Sequence, residues 1–174
     1  LYLFYDESKF VKLVDKLEYL RSYDEMTGLY NRNHFERSSE TLGRDYDTFG
    51  VIVTDINGLK LFNDYFGHKA GDDLIIRYSD ILKSVVASYS DTSLIRMGGD
   101  EFTVLLTDIE SSEDVKSIIK KIEAKIAEPY QIYGQEIKIS CSIGYSVDYR
   151  TKKSFQELIN KADLAMYEVK NAKN

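Results

Sequence analysis

Arg96-Met97-Gly98-Gly99-Asp100-Glu101-Phe102 stands between two apolar runs, Ser93-Leu94-Ile95 before it and Thr103-Val104-Leu105-Leu106 after it. β-rich runs joined through a glycine pair predict a hairpin. Glycine adopts positive φ readily and leaves backbone amides open, so a phosphate or nucleobase can approach Gly98 and Gly99 closely. Two carboxylates beside such an opening, Asp100 and Glu101, have the chemistry to hold a divalent cation. Neighbours in an extended chain point to opposite faces, so these two acids have unequal tasks, and the sequence does not rank them. Standing alone, the segment reads as a tight turn with solvated acids; its neighbours decide otherwise.

The nearest of these is Asp55. It follows the apolar run Val51-Ile52-Val53-Thr54 directly, at the expected end of a buried strand, where ligand sites of α/β sheets collect. If the glycine hairpin lies beside this strand, Asp55, Asp100 and Glu101 converge and repel one another, and divalent cations with oxygen ligands, magnesium first, relieve that repulsion. Taken alone, Asp55 is as readily a helix N-cap.

Farther out, strands and helices alternate. Leu59, Phe62 and Phe66 recur at helical spacing, with Lys60 and Asn63 sharing another side. Leu74, Ile75, Tyr78, Ile81, Leu82, Val85 and Val86 mark a longer helix. Val115, Ile118, Ile119, Ile122 and Ile126 mark another, started by Ser111 and Ser112 and stopped by Pro129. Tyr130–Tyr133 and Ile137–Ser146 flank Gly134-Gln135 and predict a second hairpin, whose alternating Ile137, Ile139, Cys141, Ile143 and Tyr145 predict one buried face. Ser154-Phe155-Gln156-Glu157 is a capping-box pattern for a last helix with Leu158, Ile159, Ala162, Ala165, Met166 and Val169 on its apolar side. This order predicts an α/β (α+β) fold, a mixed sheet covered by helices.

Residues 1–22 are set apart. Phe10, Leu13, Leu17 and Leu20 predict an amphipathic helix whose spacing also fits a short heptad seam. A helix packed on its own domain and a stalk for pairing both fit.

The 174 residues, 43% hydrophobic and 30% charged, suit one globular domain of residues 23–174 with this appendage. The net charge of −6 and the lack of a basic stripe argue against a nucleic-acid partner. Cys141 has no cysteine to pair with and reads as a small buried residue. No run spans a bilayer and no signal peptide is seen, so no membrane contact by these residues and a cytoplasmic location are expected. The first residue is Leu1, so a piece of a longer protein is expected, with a sensor or membrane anchor upstream.

Four motifs together resemble the GGDEF family, whose active members are diguanylate cyclases. The first is the hairpin segment. The second runs from Asp55-Ile56-Asn57-Gly58-Leu59-Lys60 through Asn63-Asp64 and Gly67-His68 to Gly71-Asp72, departing from the family pattern only in Leu59 for Phe. The third is Asp24-Glu25-Met26-Thr27-Gly28-Leu29-Tyr30-Asn31-Arg32, with Met26 for Leu, in which Asp24 and Arg32 look structural. The fourth is Ala162-Asp163-Leu164-Ala165-Met166-Tyr167-Glu168-Val169-Lys170.

The resemblance implies a palm-like nucleotidyl cyclase fold with a mostly antiparallel sheet. It implies two Mg²⁺ (or Mn²⁺) ions per site held by Asp55, the Ile56 carbonyl, Asp100 and Glu101. Asp100 is expected to accept the proton, and Lys60 and Lys170 to meet the phosphates. Asn63 and Asp72 are expected to read the guanine edge, and His68 to lie near the substrate. Guanine offers N1 and N2 donors that a carboxylate accepts and adenine does not, which fits Asp72. Where the family continues with glycine and a basic residue, this chain has Asn171-Ala172-Lys173-Asn174, and Lys173 is assigned the remaining phosphate contact with the register shifted.

The implied reaction joins two GTP into cyclic di-GMP and two pyrophosphates, between two such domains facing each other. Many members carry Arg-x-x-Asp before the hairpin as a product-binding inhibitory site; Tyr89 and Thr92 stand there instead, so no feedback through it is expected. A non-catalytic GTP-binding signalling module and a mixed GTP/ATP cyclase are the competing readings.

Overall fold

The computed structural model describes residues 7–45, 48–89, 91–107, 109–149 and 155–172, with the backbone alone at residues 7, 8, 39–45 and 155. In chain order the elements are α1 (Glu7–Ser22), β1 (Tyr30–Asn31), α2 (Arg32–Asp45), β2 (Thr48–Ile56), α3 (Leu59–Phe66), α4 (His68–Val86), β3 (Thr92–Gly98), β4 (Glu101–Thr107), α5 (Ser112–Ala127), β5 (Tyr130–Ile132), β6 (Gln135–Ile137), β7 (Cys141–Tyr149) and α6 (Phe155–Ala172). The main sheet runs β1-β3-β4-β2-β7, and β5-β6 form a separate ribbon. Only β1 and β3 pair in parallel; the other neighbours are antiparallel. This is the mixed sheet that the element order predicts, mostly antiparallel as the family resemblance implies.

Helices cover both faces. One core joins Ile52, Ile56, Phe102 and Val104 of the sheet to Tyr78 and Leu82 of α4 and Ile118 and Ile122 of α5. The other joins Val51, Val53, Ile95 and Leu105 to Phe35 of α2 and Leu158, Ala162 and Met166 of α6. Double coverage explains why β2 is apolar almost without interruption, and every residue of it from Phe49 to Ile56 is buried. Ser111 caps α5 by accepting from the Glu113 amide (3.2 Å), while Asp114 Oδ2 accepts from the Ser111 amide (2.8 Å). The Ser154 end of the pattern expected to start α6 lies outside the described residues.

Two expectations change. The second hairpin is short: β5 pairs with β6 alone, and after Lys138–Ser140 the chain joins the main sheet as β7 beside β2. Apolar alternation runs through that break, so periodicity alone joined two strands that pair with different partners. Within β7, the more deeply buried face is Ser142, Gly144, Ser146 and Asp148, with Ile143, Tyr145 and Val147 only partly covered. The reason is α6, which lies so close that a Cβ on Gly144 would overlap the Ala162 carbonyl and the Met166 amide. For α1, where both arrangements fitted, Phe10, Leu13 and Leu17 are more than half exposed, while Tyr19 near its end stacks on Tyr23.

Candidate active site

Asp55 lies in register with Glu101 of β4 on one side and Ser142 of β7 on the other, and it is buried. The Ile56 amide, at the last residue of β2, donates to the Asp100 carbonyl (3.1 Å), tying the strand end to the hairpin turn. Asp55 and the adjacent pair Asp100-Glu101, 45 residues apart in sequence, thus meet at one corner of the sheet. Asp55 is not a helix cap: the N-cap of α3 is Gly58. Its partner is Lys170 of α6, whose ammonium donates to Asp55 Oδ1 at 2.7 Å.

The turn itself is left-handed. Gly98 has φ 151° and Gly99 φ 51°, and a Cβ at either would meet open space, so backbone conformation rather than packing calls for glycine. A register shift between Arg96 and Gly98 bulges β3 at Met97. Arg96 then reaches back to its own turn, donating to the Gly99 carbonyl from Nη2 (2.8 Å) and Nε (3.1 Å). Its Nη1 pairs with Asp24 at 3.0 Å. Asp24 in turn accepts from the Thr27 amide (2.9 Å) and hydroxyl (2.7 Å). Burial raises the Asp24 carboxyl, but the bonds from Thr27 and Arg96 outweigh it and hold the group below its ordinary value. The motif at Asp24 is therefore a brace for the glycine turn, which agrees with its reading as structural, and Arg32 forms only an exposed pair with Glu36 (3.2 Å). Sequence reading assigns Arg96 no task; its position two residues before Gly98 is the signal for its bonds to the turn.

The corner's electrostatics favour a cation. Asp100 is raised above the usual carboxylate range by desolvation first and by the Asp55 charge second. Glu101 is raised by desolvation, then by Asp55, Asp100 and Asp163 of α6. Lys170 is raised by its bond to Asp55. Among the described residues no three His, Cys, Asp or Glu side chains form a ready metal cage. Lys170 offsets part of the charge of both acids and Arg96 part of that of Asp100, but desolvation and the neighbouring carboxylates outweigh them. Asp55, Asp100 and Glu101 offer the oxygen donors that a divalent cation such as magnesium takes.

On the other side of the strand end, α3 and α4 carry the remaining candidates. Lys60 is exposed in the first turn of α3, and His68 and Asp72 are exposed in the first turns of α4. Asn63 is half-buried between the two helices, with its side chain against Gly71. Asn57 links this side to β7, donating from Nδ2 to Ser140 Oγ (3.0 Å) and accepting from Ser142 Oγ (2.9 Å). Lys173 lies outside the described residues.

The profile of the family described as "Diguanylate cyclase, GGDEF domain" matches residues 21–174. The chain belongs to the GGDEF family. This GGDEF domain is 35% identical over 156 residues to the bifunctional diguanylate cyclase/cyclic di-GMP phosphodiesterase MucR of Pseudomonas aeruginosa, covering 87% of this chain and 22% of MucR. It is 33% identical to the signaling protein YkoW of Bacillus subtilis, covering 95% of this chain and 21% of YkoW. The chain thus spans about a fifth of the length of these relatives. In fold, the GGDEF domain matches the coiled coil and GGDEF domain of DgcB from Caulobacter crescentus, solved in complex with c-di-GMP. The TM-score is 0.84 at 20% identity, over 96% of this chain and 90% of that one.

Proposed function

We propose that this GGDEF domain is a diguanylate cyclase that condenses two GTP into cyclic di-GMP and two pyrophosphates. The observation that carries the reading is the corner itself: Asp55 in register with Glu101 beneath the left-handed Gly98-Gly99 turn, with Lys170 on Asp55. Two Mg²⁺ or Mn²⁺ ions would be held by Asp55, the Ile56 carbonyl, Asp100 and Glu101, and would supply charge neutralisation and a more acidic 3′-hydroxyl.

The chain's own groups do the rest. The open glycine turn lets phosphate approach backbone amides. Lys60 and Lys170 offset the charge of the departing pyrophosphate. Lys170 pairs with Asp55 here and would be released for that task where Asp55 held a cation. Asn63 and Asp72 hold guanine, with His68 and Lys173 beside the substrate. In each half-reaction a 3′-oxygen bonds to the α-phosphorus of the other GTP, the bond to the β-phosphate oxygen breaks, and the hydroxyl proton goes to Asp100. The raised Asp100 carboxyl suits a proton acceptor better than an ordinary acid.

The product is two-fold symmetric and each domain offers one site, so catalysis requires two domains face to face. Residues 1–22 form the stalk and 23–174 the catalytic unit, working in the cytoplasm beneath an upstream sensor. Tyr89 is occupied by Lys121, which donates to its hydroxyl (2.8 Å), so product is not expected to inhibit at Tyr89 and Thr92.

Chromatography of products from GTP, ATP and both, with magnesium, tests the proposal. Cyclic di-GMP from GTP alone, lost by at least about a hundredfold in Asp100→Ala, is expected. GTP binding without turnover makes the domain a signalling module, a mixed dinucleotide makes it a mixed cyclase, and full activity of Asp100→Ala overturns the mechanism.

A further inference from the structure

The two helices of the proposed base site meet at Gly67, whose amide donates to the Asn63 carbonyl (2.8 Å) and closes α3. One turn into α4, Gly71 is fully helical and buried, so its backbone conformation does not call for glycine. Space does. A Cβ at Gly71 would overlap Asn63 Oδ1 and stand 2.8 Å from Asn63 Cγ and 3.2 Å from Nδ2. Asn63 Oδ1 is buried there without a hydrogen-bond partner. The amide nitrogen is neither bonded nor buried, so it keeps its two donors for something outside the fold. A buried, unpaired carbonyl oxygen is destabilising, a cost without return unless the outward donors are used. No residue of α3 is fully buried, so packing elsewhere on that helix does little to fix this side chain.

We propose that Gly71 is a positioning residue for base recognition: the side chain it lacks seats the Asn63 amide oxygen-in and nitrogen-out, one residue from Asp72. This rests on the reading that Asn63 and Asp72 hold guanine. The arrangement then divides the base between them. Guanine presents an acceptor at O6, which the outward NH₂ of Asn63 satisfies, and donors at N1 and N2, which the Asp72 carboxylate accepts. Adenine places a donor where guanine has O6, so the same NH₂ opposes it. A methyl at Gly71 meets only the end of a flexible side chain among its three nearest neighbours, and alanine is the better helix former. Gly71→Ala should therefore spare the fold and dislodge Asn63.

The test is calorimetric binding of a non-hydrolysable GTP analogue, and of the matching 2-aminopurine riboside analogue, which lacks O6 and with it the N1 proton and so binds Asp72 through N2 alone, to the wild type, Gly71→Ala, Asn63→Ala and the double variant, each analogue being compared with its own wild-type affinity. Melting curves are taken in parallel. Gly71→Ala is expected to weaken the GTP analogue about tenfold, the worth of one lost hydrogen bond, to leave the 2-aminopurine analogue nearly unchanged, to melt no lower than wild type, and to add nothing to Asn63→Ala. If Asn63→Ala binds the GTP analogue as the wild type does, the guanine reading of Asn63 falls and this proposal with it. Loss of affinity in Asn63→Ala but not in Gly71→Ala overturns the role of Gly71 alone. Equal weakening of both analogues, or further weakening in the double variant, makes the effect structural and overturns it too. Should Gly71→Ala not fold, the double variant is expected to fold and to bind as Asn63→Ala does; a double variant that also fails overturns the proposal.

Discussion

Asp100 and Glu101 ionise reluctantly because burial strips their solvent and Asp55 adds a like charge. A carboxyl raised in the folded state binds its proton more tightly there, so its stabilising contribution is present below the unfolded value and is lost as pH rises through the folded one. At neutral pH the ionised Asp100 works against the fold. Asp100→Asn is therefore expected to melt above the wild type in chelator, by roughly 2 °C. The gain should shrink as pH falls to where the wild-type carboxyl is protonated, and added magnesium should stabilise the wild type more than the variant. Thermal melts across pH, with and without magnesium, decide the matter; a variant no more stable at neutral pH removes the electrostatic argument. Arg96 works in the opposite direction. It lies 10% exposed between Asp24 and the Gly99 carbonyl, so its bonds are little screened. Arg96→Ala should cost about 2 kcal/mol in denaturant unfolding and reduce turnover more than that loss explains, because the turn loses its brace. Unchanged turnover in a stably folded Arg96→Ala would leave the brace without a functional role.

Elements were legible where local chemistry and tertiary partner agree. The Gly98-Gly99 pair dictated a hairpin, the continuous apolar run of β2 announced coverage on both faces, and α4 buried every one of its seven marked residues. Asp55 could be placed at a strand end because the strand was so plain. What failed depended on partners that the sequence does not name. Ile137, Ile139 and Cys141 keep a two-residue period while the backbone leaves one sheet for another. α2 went unread because Arg32–Asp45 is mostly polar, and its buried Phe35 gives no period. Gly144 inverted the expected face of β7, since a small residue there marks a close approach of helix backbone rather than exposure to water. That close approach is testable. Unlike Gly71, Gly144 faces main-chain atoms of Ala162 and Met166, which cannot swing aside. Gly144→Ala must push α6 off the sheet, at a cost of about 3 kcal/mol. Because α6 carries Lys170, the Asp55 pair should be lost with it. Denaturant unfolding beside nucleotide binding checks both, and a Gly144→Ala variant of wild-type stability would mean that α6 packs less tightly than described.

At the scale of the whole molecule, the leading helix is bound at its foot, and Phe10, Leu13 and Leu17 above it are more than half exposed. Asn31 donates to the Leu20 and Tyr23 carbonyls (both 3.0 Å) and Arg37 to the Arg21 carbonyl (2.8 Å), so the domain caps the end of α1. Tyr19, Tyr23, Tyr30 and His34 stack in succession, with centroids 4.8, 4.9 and 3.8 Å apart. Tyr30 belongs to β1, which pairs with β3, the strand that leads into the Gly98-Gly99 turn. The stacked rings and β1 thus join the end of α1 to the strand that leads into the hairpin. Above the foot, Phe10, Leu13 and Leu17 stay exposed at a and d spacing, the arrangement of a two-stranded seam. If pairing along this seam brings two domains face to face, Leu13→Glu with Leu17→Glu should leave the melting of the domain within about 0.5 kcal/mol of wild type, as for exposed surface positions. The same change should shift sedimentation towards the monomer and make turnover per domain rise more steeply with protein concentration. Rates measured over a hundredfold range of concentration, beside sedimentation of both proteins, separate the cases. A rate per domain that is independent of concentration and identical in the two proteins would remove α1 from catalysis and leave it a tether to whatever precedes it.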